Sequence, residues 1–255
     1  MYWVREKDRY LRQLLIQDIQ HQTKRDLVVY FTTMGYGQID SRDADDISEA
    51  LADCQSRDID LLIQTPGGFV DACEKLISVL KQRTDDYRVI VPSWAKSAGT
   101  IIALSGSTIV MGVNSELGPI DPQFNGIPAE FIRDDPTQPF AMTKLAGAAI
   151  TRTQNLARQV LSDRMMQSAD ASTIDDLVNQ LSSAQSYCSH GAVINAREAE
   201  NLGLAVTYLA PEDDLWRRVW LLYCMYEHDS QVRNYAKVFE GPRISIARQM
   251  PPPPT

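Results

Sequence analysis

The stretch Ile59-Asp60-Leu61-Leu62-Ile63-Gln64-Thr65-Pro66-Gly67-Gly68, followed by Arg88-Val89-Ile90-Val91-Pro92-Ser93-Trp94-Ala95-Lys96-Ser97-Ala98-Gly99, decides the fold. Each half is a short, almost wholly apolar run that breaks into a tight turn and then into a helical pattern. Phe69–Arg83 reads as the helix after the first turn and Ala98–Leu104 as a short apolar helix after the second. Strands that are apolar on both faces and alternate with helices belong to a parallel sheet covered on both sides.

Working outward, the same alternation continues in both directions. Leu27–Thr33 is a β-branched and aromatic run before a helix at Ser41–Cys54, whose early acids suit a helix start. Thr108–Met111 and Ala205–Leu209 supply two more strands, so about five buried strands are expected, joined by right-handed crossovers. Between them lie a proline-rich loop (Pro119, Pro122, Pro128, Pro136, Pro139), a long helix Thr143–Gln167, and helices Thr173–Leu181 and Ala196–Leu202. An amphipathic helix, Tyr2–Gln22 with Leu11, Leu14, Leu15 and Ile19 on one face, precedes the body. A helix at Asp213–His228 follows it. Trp216 and Trp220, like Met165 and Met166, read as packing residues rather than a cofactor box. The expected divisions are an N-terminal helix (1–24), an α/β domain (25–210), a C-terminal helix (211–240) and a flexible proline-rich tail (241–255).

With 255 residues, 44% hydrophobic and 23% charged, the chain is long and apolar enough for one large core, which excludes a disordered or collagen-like polymer. The 25 Lys+Arg against 33 Asp+Glu give a net charge of −8, which argues against a general nucleic-acid binder. Cys54, Cys73, Cys188 and Cys224 show no CxxC pairing, and His21, His190 and His228 are scattered, so no metal site or disulfide framework is expected. The charged start lacks a signal-peptide core, and Ser97–Ser115 is broken by glycines and serines before it could span a bilayer. A soluble cytoplasmic protein is the expectation, with no cofactor.

The two strand-to-helix turns carry the chemistry. At the carboxyl ends of neighbouring parallel strands, where open α/β sheets place their sites, Ser97 would face Gly67 and Gly68. The start of a helix favours a developing alkoxide, and the amides of Ala98 and of Gly67 or Gly68 could form an oxyanion hole. One such donor contributes roughly 3 kcal/mol in acyl transfer. The competing reading makes Ser97 a simple helix N-cap.

Thr65-Pro-Gly-Gly68, Ala95-Lys-Ser-Ala-Gly99 and Ser115-Glu-Leu-Gly-Pro-Ile-Asp-Pro-Gln123, in this order, resemble the serine dehydrogenase proteinase group of the ClpP/crotonase superfamily. Ala196-Arg-Glu-Ala-Glu-Asn-Leu-Gly-Leu204 is also similar to an element of signal-peptide peptidase A. The resemblance, over about Leu27 to Leu209, implies a ClpP/crotonase-like spiral of βαβ units with flanking helices, an oligomer, and Ser97 as nucleophile. The ClpP histidine position is occupied by Asp121, so the resemblance to signal-peptide peptidases points to a lysine base, and Lys144 matches that placement. A lysine desolvated by Leu145, Ala146, Gly147 and Ala148 could act as the neutral amine.

The expected function is therefore a serine peptidase acting on peptides or proteins through a Ser97–Lys144 dyad, with Gly67, Gly68 and Ala98 as the oxyanion hole. His190 is the runner-up base and Asp121 an accessory group. A phosphate loop of the GxxxxGK[ST] type is absent, so ATP-driven unfolding would need an unfoldase or adaptor partner. Two other readings stay open: an inactive ClpP-like oligomeric scaffold, and a crotonase-like acyl-CoA enzyme.

Overall fold

The computed structural model describes residues 1–252. In chain order the elements begin with α1 (Tyr2–Arg5), α2 (Lys7–Thr23), β1 (Asp26–Thr32), α3 (Asp43–Ala52), β2 (Asp58–Gln64) and α4 (Val70–Arg83). The site-bearing segment follows as β3 (Asp86–Val91), β4 (Trp94–Ala95), α5 (Ala98–Leu104), β5 (Ile109–Met111) and β6 (Glu116–Leu117). A hairpin of β7 (Gln123–Phe124) and β8 (Ile127–Pro128) leads into α6 (Ala129–Asp134) and α7 (Phe140–Val160), which ends in a π turn, Leu161–Met165. The chain closes with α8 (Ala171–Ser182), α9 (Ala184–Tyr187), α10 (Ala196–Asn201), β9 (Val206–Tyr208), α11 (Asp214–Arg233), β10 (Tyr235–Glu240) and β11 (Ser245–Gln249).

The main sheet has the order β11-β10-β1-β2-β3-β5-β9. Its five central and distal strands, β1, β2, β3, β5 and β9, run parallel and are the five read from the sequence. Because side chains alternate along a strand, each strand feeds two cores. Tyr30, Ile59, Leu61, Ile63, Val89 and Val91 face the layer of α3, α4 and α5. Leu27, Val29, Phe31, Leu62, Ile90 and Val110 face α2 and α11. Burial on both faces is why these runs lack polar alternation.

Trp216 is buried against Gly112, where a Cβ would stand 2.3 Å from the indole ring, and Trp220 stacks beside it, so both tryptophans pack the second core. The phase of α2 differs from the sequence expectation. Leu11 and Leu14 are 53% and 58% exposed, while Arg12, Ile16 and Ile19 are buried. The reason is ionic: Arg12 turns inward to Glu240, with Nε 2.7 Å from Oε2, and to Asp229. A buried charge at the centre of a helix face hides that face from a hydrophobic-pattern reading.

The C-terminal end also departs from expectation. The helix α11 runs to Arg233 and is followed at once by β10, which pairs antiparallel with β1. The segment read as an irregular tail contributes β11, the edge strand of the sheet. Pro242 stands before the strand, and the run of prolines begins only at Pro251, after it. The last three positions of that expected tail lie outside the described residues. Among the described residues, no helix is long and apolar enough to cross a membrane.

Candidate active site

Ser97 lies between β4 and α5 with φ 52° and ψ −121°, a backbone conformation that costs a non-glycine residue of order 1–3 kcal/mol. Its side chain caps no amide of α5, which removes the N-cap explanation for the serine. A strained strand-to-helix turn is the arrangement that lifts a nucleophilic hydroxyl clear of its own backbone. The surroundings enforce it: Gly99 packs on Thr65, and Thr65 N and Lys96 N bond across to Trp94 O and Thr65 O at 3.2 and 3.0 Å.

The Thr65–Gly68 turn meets that serine directly. A Cβ on Gly67 would stand 2.8 Å from Ser97 Cβ and 2.7 Å from Lys96 O, and its φ of +95° is a glycine conformation. Gly68 packs equally closely on Ile39, whose N–H donates to Gly67 O at 2.8 Å and whose carbonyl accepts from Phe69 N at 3.1 Å. These two bonds flank Gly68 on the Ile39 side, so its own N–H is turned the other way. Gly67 N–H is taken up by Thr65 Oγ1 at 3.3 Å. The first amide of α5, on Ala98, is one of the helix-start donors that the helix itself leaves unpaired.

These groups open into one cleft of ≈ 660 Å³. Its walls include Gly67, Gly68, Ser97 and Ala98, together with Val70, Ile101, Ile120, Phe124 and Ala149. His190 also lines it. The imidazole Nδ1 stands 2.7 Å from Asp121 Oδ1, and that carboxylate is buried with its second oxygen accepting from Gln123 Nε2. With Nδ1–H donating to Asp121, Nε2 is left as the basic nitrogen.

Lys144 stands elsewhere. It is exposed, its Nζ lies 5.2 Å from the centroid of the Phe140 ring, and it lines a separate depression with Arg133, Thr143, Gly147 and Thr151. The face of α7 that reaches the Ser97 cleft carries Ala149, Arg152 and Thr153. At about 100° per residue, Lys144 stands about 140° from Ala149, 80° from Arg152 and 180° from Thr153 around α7. Of the residues read from the sequence, Ser97, Gly67, Gly68, Ala98 and His190 thus share a cleft, Asp121 supports His190, and Lys144 does not join them.

Two connections were not legible beforehand. The pairing of Asp121 with His190 spans 69 positions, and the backing of the glycine turn by Ile39 is made entirely by backbone atoms. Neither leaves a residue-type signal in the sequence.

Comparison with known proteins shows the family of the chain. The family model described as ClpP-like SDH-type serine proteinase matches residues 4–244. An uncharacterized protein of Methanocaldococcus jannaschii is 33% identical over 221 residues, covering 81% of this chain and 72% of its own. The ATP-dependent Clp protease proteolytic subunit of Streptococcus agalactiae is 26% identical over 196 residues, covering 72% of this chain and 91% of its own. Among solved structures, a ClpP1 variant from Listeria monocytogenes aligns with 17% identity and a TM-score of 0.49, covering 77% of this chain and 98% of that one.

Proposed function

We propose that this chain, which belongs to the ClpP-like SDH-type serine proteinase family, hydrolyses peptide bonds with Ser97 as nucleophile, His190 as base and Asp121 as its orienting carboxylate. The observation that carries the reading is the joint presence of a strained, uncapped Ser97 and an Asp121-bonded His190 in one cleft. The Ser97–Lys144 dyad expected from sequence is the competing assignment, and the outward position of Lys144 speaks for the histidine.

In the proposed reaction, His190 Nε2 takes the Ser97 hydroxyl proton as Oγ attacks the substrate carbonyl carbon. The carbonyl oxygen becomes an oxyanion received by the Gly68 and Ala98 amides, with Gly67 serving by its close fit against Ser97. The imidazolium, held by Asp121, returns the proton to the leaving amine, and an acyl-Ser97 ester remains. Water then attacks that ester by the same route, releasing the acid and restoring the hydroxyl. The apolar wall of Val70, Ile101, Ile120 and Phe124 suits a peptide with an apolar side chain next to the cleaved bond.

We read the working form as a homo-oligomer acting on peptides or proteins in the cytoplasm. The Streptococcus relative is by name part of an ATP-dependent protease. This sequence has no GxxxxGK[ST] loop, so any coupling to ATP would require an unfoldase or adaptor partner. Labelling with a fluorophosphonate, followed by mapping of the modified residue, tests the proposal. Modification of Ser97 that is lost in Ser97→Ala and in His190→Ala is expected. Absence of labelling in the assembled protein would return the chain to the scaffold reading.

A further inference from the structure

Lys96 immediately precedes the nucleophile but does not line its cleft. Its side chain is 13% exposed and runs the other way, and Nζ lies 3.1 Å from Leu117 O, 3.0 Å from Ala192 O and 3.0 Å from Glu116 Oε1. Two of the ammonium's protons go to these carbonyls, and the Glu116 carboxylate is its ion-pair partner. A base needs a free lone pair aimed at the nucleophile, and this geometry directs Lys96 Nζ away from the cleft as a donor.

What it binds is informative. Leu117 stands four residues before Asp121, and Ala192 two residues after His190. One ammonium, carried next to Ser97, therefore ties together the three chain segments that bear the proposed nucleophile, base and orienting carboxylate. The lysine stem is fitted as closely as its head, because a Cβ on Gly118 would stand 2.7 Å from Lys96 Cδ.

The base-bearing loop needs such a tie. Cys188, Ser189, Gly191 and Val193 are exposed, and the loop's first buried side chain after His190 is Ile194. Ile194 is anchored by its backbone pair with Leu117, with N–O distances of 2.9 and 3.0 Å. Between that anchor and α9 the loop has no apolar seat, and exposed segments of this kind open locally at low cost. The contact of Lys96 with Ala192 O closes that span close to His190.

We infer that Lys96 is a positioning residue that holds the His190 loop and the Asp121 segment in register with Ser97. The inference rests on the assignment of His190 as the base, but its structural half can be read without any catalysis. Lys96→Met keeps the stem and removes the three N–H donors, and Lys96→Arg restores donors and charge. In the full-length protein, hydrogen exchange followed by mass spectrometry is expected to rise at least about tenfold in residues 188–194 of Lys96→Met, with β2, β3 and α5 unchanged. The rate of Ser97 labelling by a fluorophosphonate is expected to fall by about tenfold or more and to lose its dependence on pH, as in His190→Ala, with partial recovery of both readouts in Lys96→Arg. Unchanged exchange in 188–194 overturns the inference, and so does slower labelling with the wild-type pH profile intact. If Lys96→Met does not fold, Lys96→Gln is read against the same two criteria. If the wild-type protein is not labelled at Ser97, the peptidase reading falls, while the exchange experiment still decides whether Lys96 holds the loop.

Discussion

His190 Nδ1 stands 2.7 Å from Asp121 Oδ1, a carboxylate whose side chain is only 3% exposed. That contact occupies Nδ1 and leaves Nε2 as the other imidazole nitrogen, and a wrong tautomer at such a site is very costly. Asp121→Asn is expected to lower the rate of Ser97 acylation by about 10³–10⁴ while leaving the fold intact. Stopped-flow or discontinuous labelling kinetics measure it, and a loss below about tenfold would remove Asp121 from the proposed mechanism.

The choice of base is decided by a pair of substitutions. His190→Ala is expected to abolish the pH-dependent part of acylation, because no other imidazole lines the cleft among the described residues. Lys144→Ala removes an exposed charge in a separate depression and should change stability by no more than about 0.5 kcal/mol, with acylation unaffected. Loss of labelling with Lys144→Ala, and its retention with His190→Ala, would restore the lysine dyad.

Gly67→Ala tests the fit between the two turns. The added methyl would meet backbone at 2.7 Å and Ser97 Cβ at 2.8 Å, in a φ of +95° that alanine disfavours. We expect a stability loss of about 1–3 kcal/mol in urea unfolding and a larger proportional loss of labelling, since the displaced atoms belong to the site itself. Equal labelling in the variant would separate the glycine turn from the chemistry.

A buried ion cluster supports the same turn from behind. Lys237 Nζ lies 2.7 Å from Asp40 Oδ2 and 2.8 Å from both oxygens of Asp43, and Tyr30 OH donates to Asp43 at 2.6 Å. Asp40 follows Ile39, the residue bonded to Gly67 and Phe69. Lys237→Met leaves the Asp43 carboxylate buried without its cation and is expected to cost about 3–5 kcal/mol. Adding Asp43→Asn should recover part of that loss in the double variant, and additive losses would show that the two groups do not act as a pair.

Acid sensitivity has a definite sign at Asp86. Burial works against this carboxylate, but hydrogen bonds from Ser107, Arg25 and Arg164 outweigh it and hold it below the usual carboxylate range. Depression of the folded-state value means that its stabilisation is present above the unfolded value, near pH 4, and is lost as pH falls through the folded one. Asp40 shifts in the same direction: burial opposes, and the bonds from Lys237 and the Arg42 amide prevail. Thermal unfolding between about pH 5 and pH 2 should therefore show a falling midpoint, less steep in Asp86→Asn than in the wild type. An identical slope in both would show that Asp86 contributes nothing to acid unfolding.

The five parallel strands were legible because a strand buried on both faces is apolar at most positions, and runs such as Ile59–Gln64, interrupted only by the buried Asp60 and Gln64, alternate with helices. Ser97 and the glycine turn were legible for a related reason: residues at the carboxyl ends of parallel strands share one edge of the sheet wherever the strands are neighbours. The strand β10, which joins the edge strand β11 to the sheet, was not, since Tyr235–Glu240 carries Lys237 and Glu240 inward, and both are buried only because Asp40, Asp43 and Arg12 meet them from distant elements.

The sequence by itself determined the alternating architecture and singled out Ser97 and the Thr65–Gly68 turn as candidates, because hydrophobic period and turn chemistry are local properties. The tertiary structure decided what surrounds Ser97: it turned Lys144 outward on α7, brought His190 to Asp121, and set Lys96 Nζ against Leu117 O and Ala192 O. Such choices depend on helix phase and on contacts across many tens of residues, and a one-dimensional pattern carries neither.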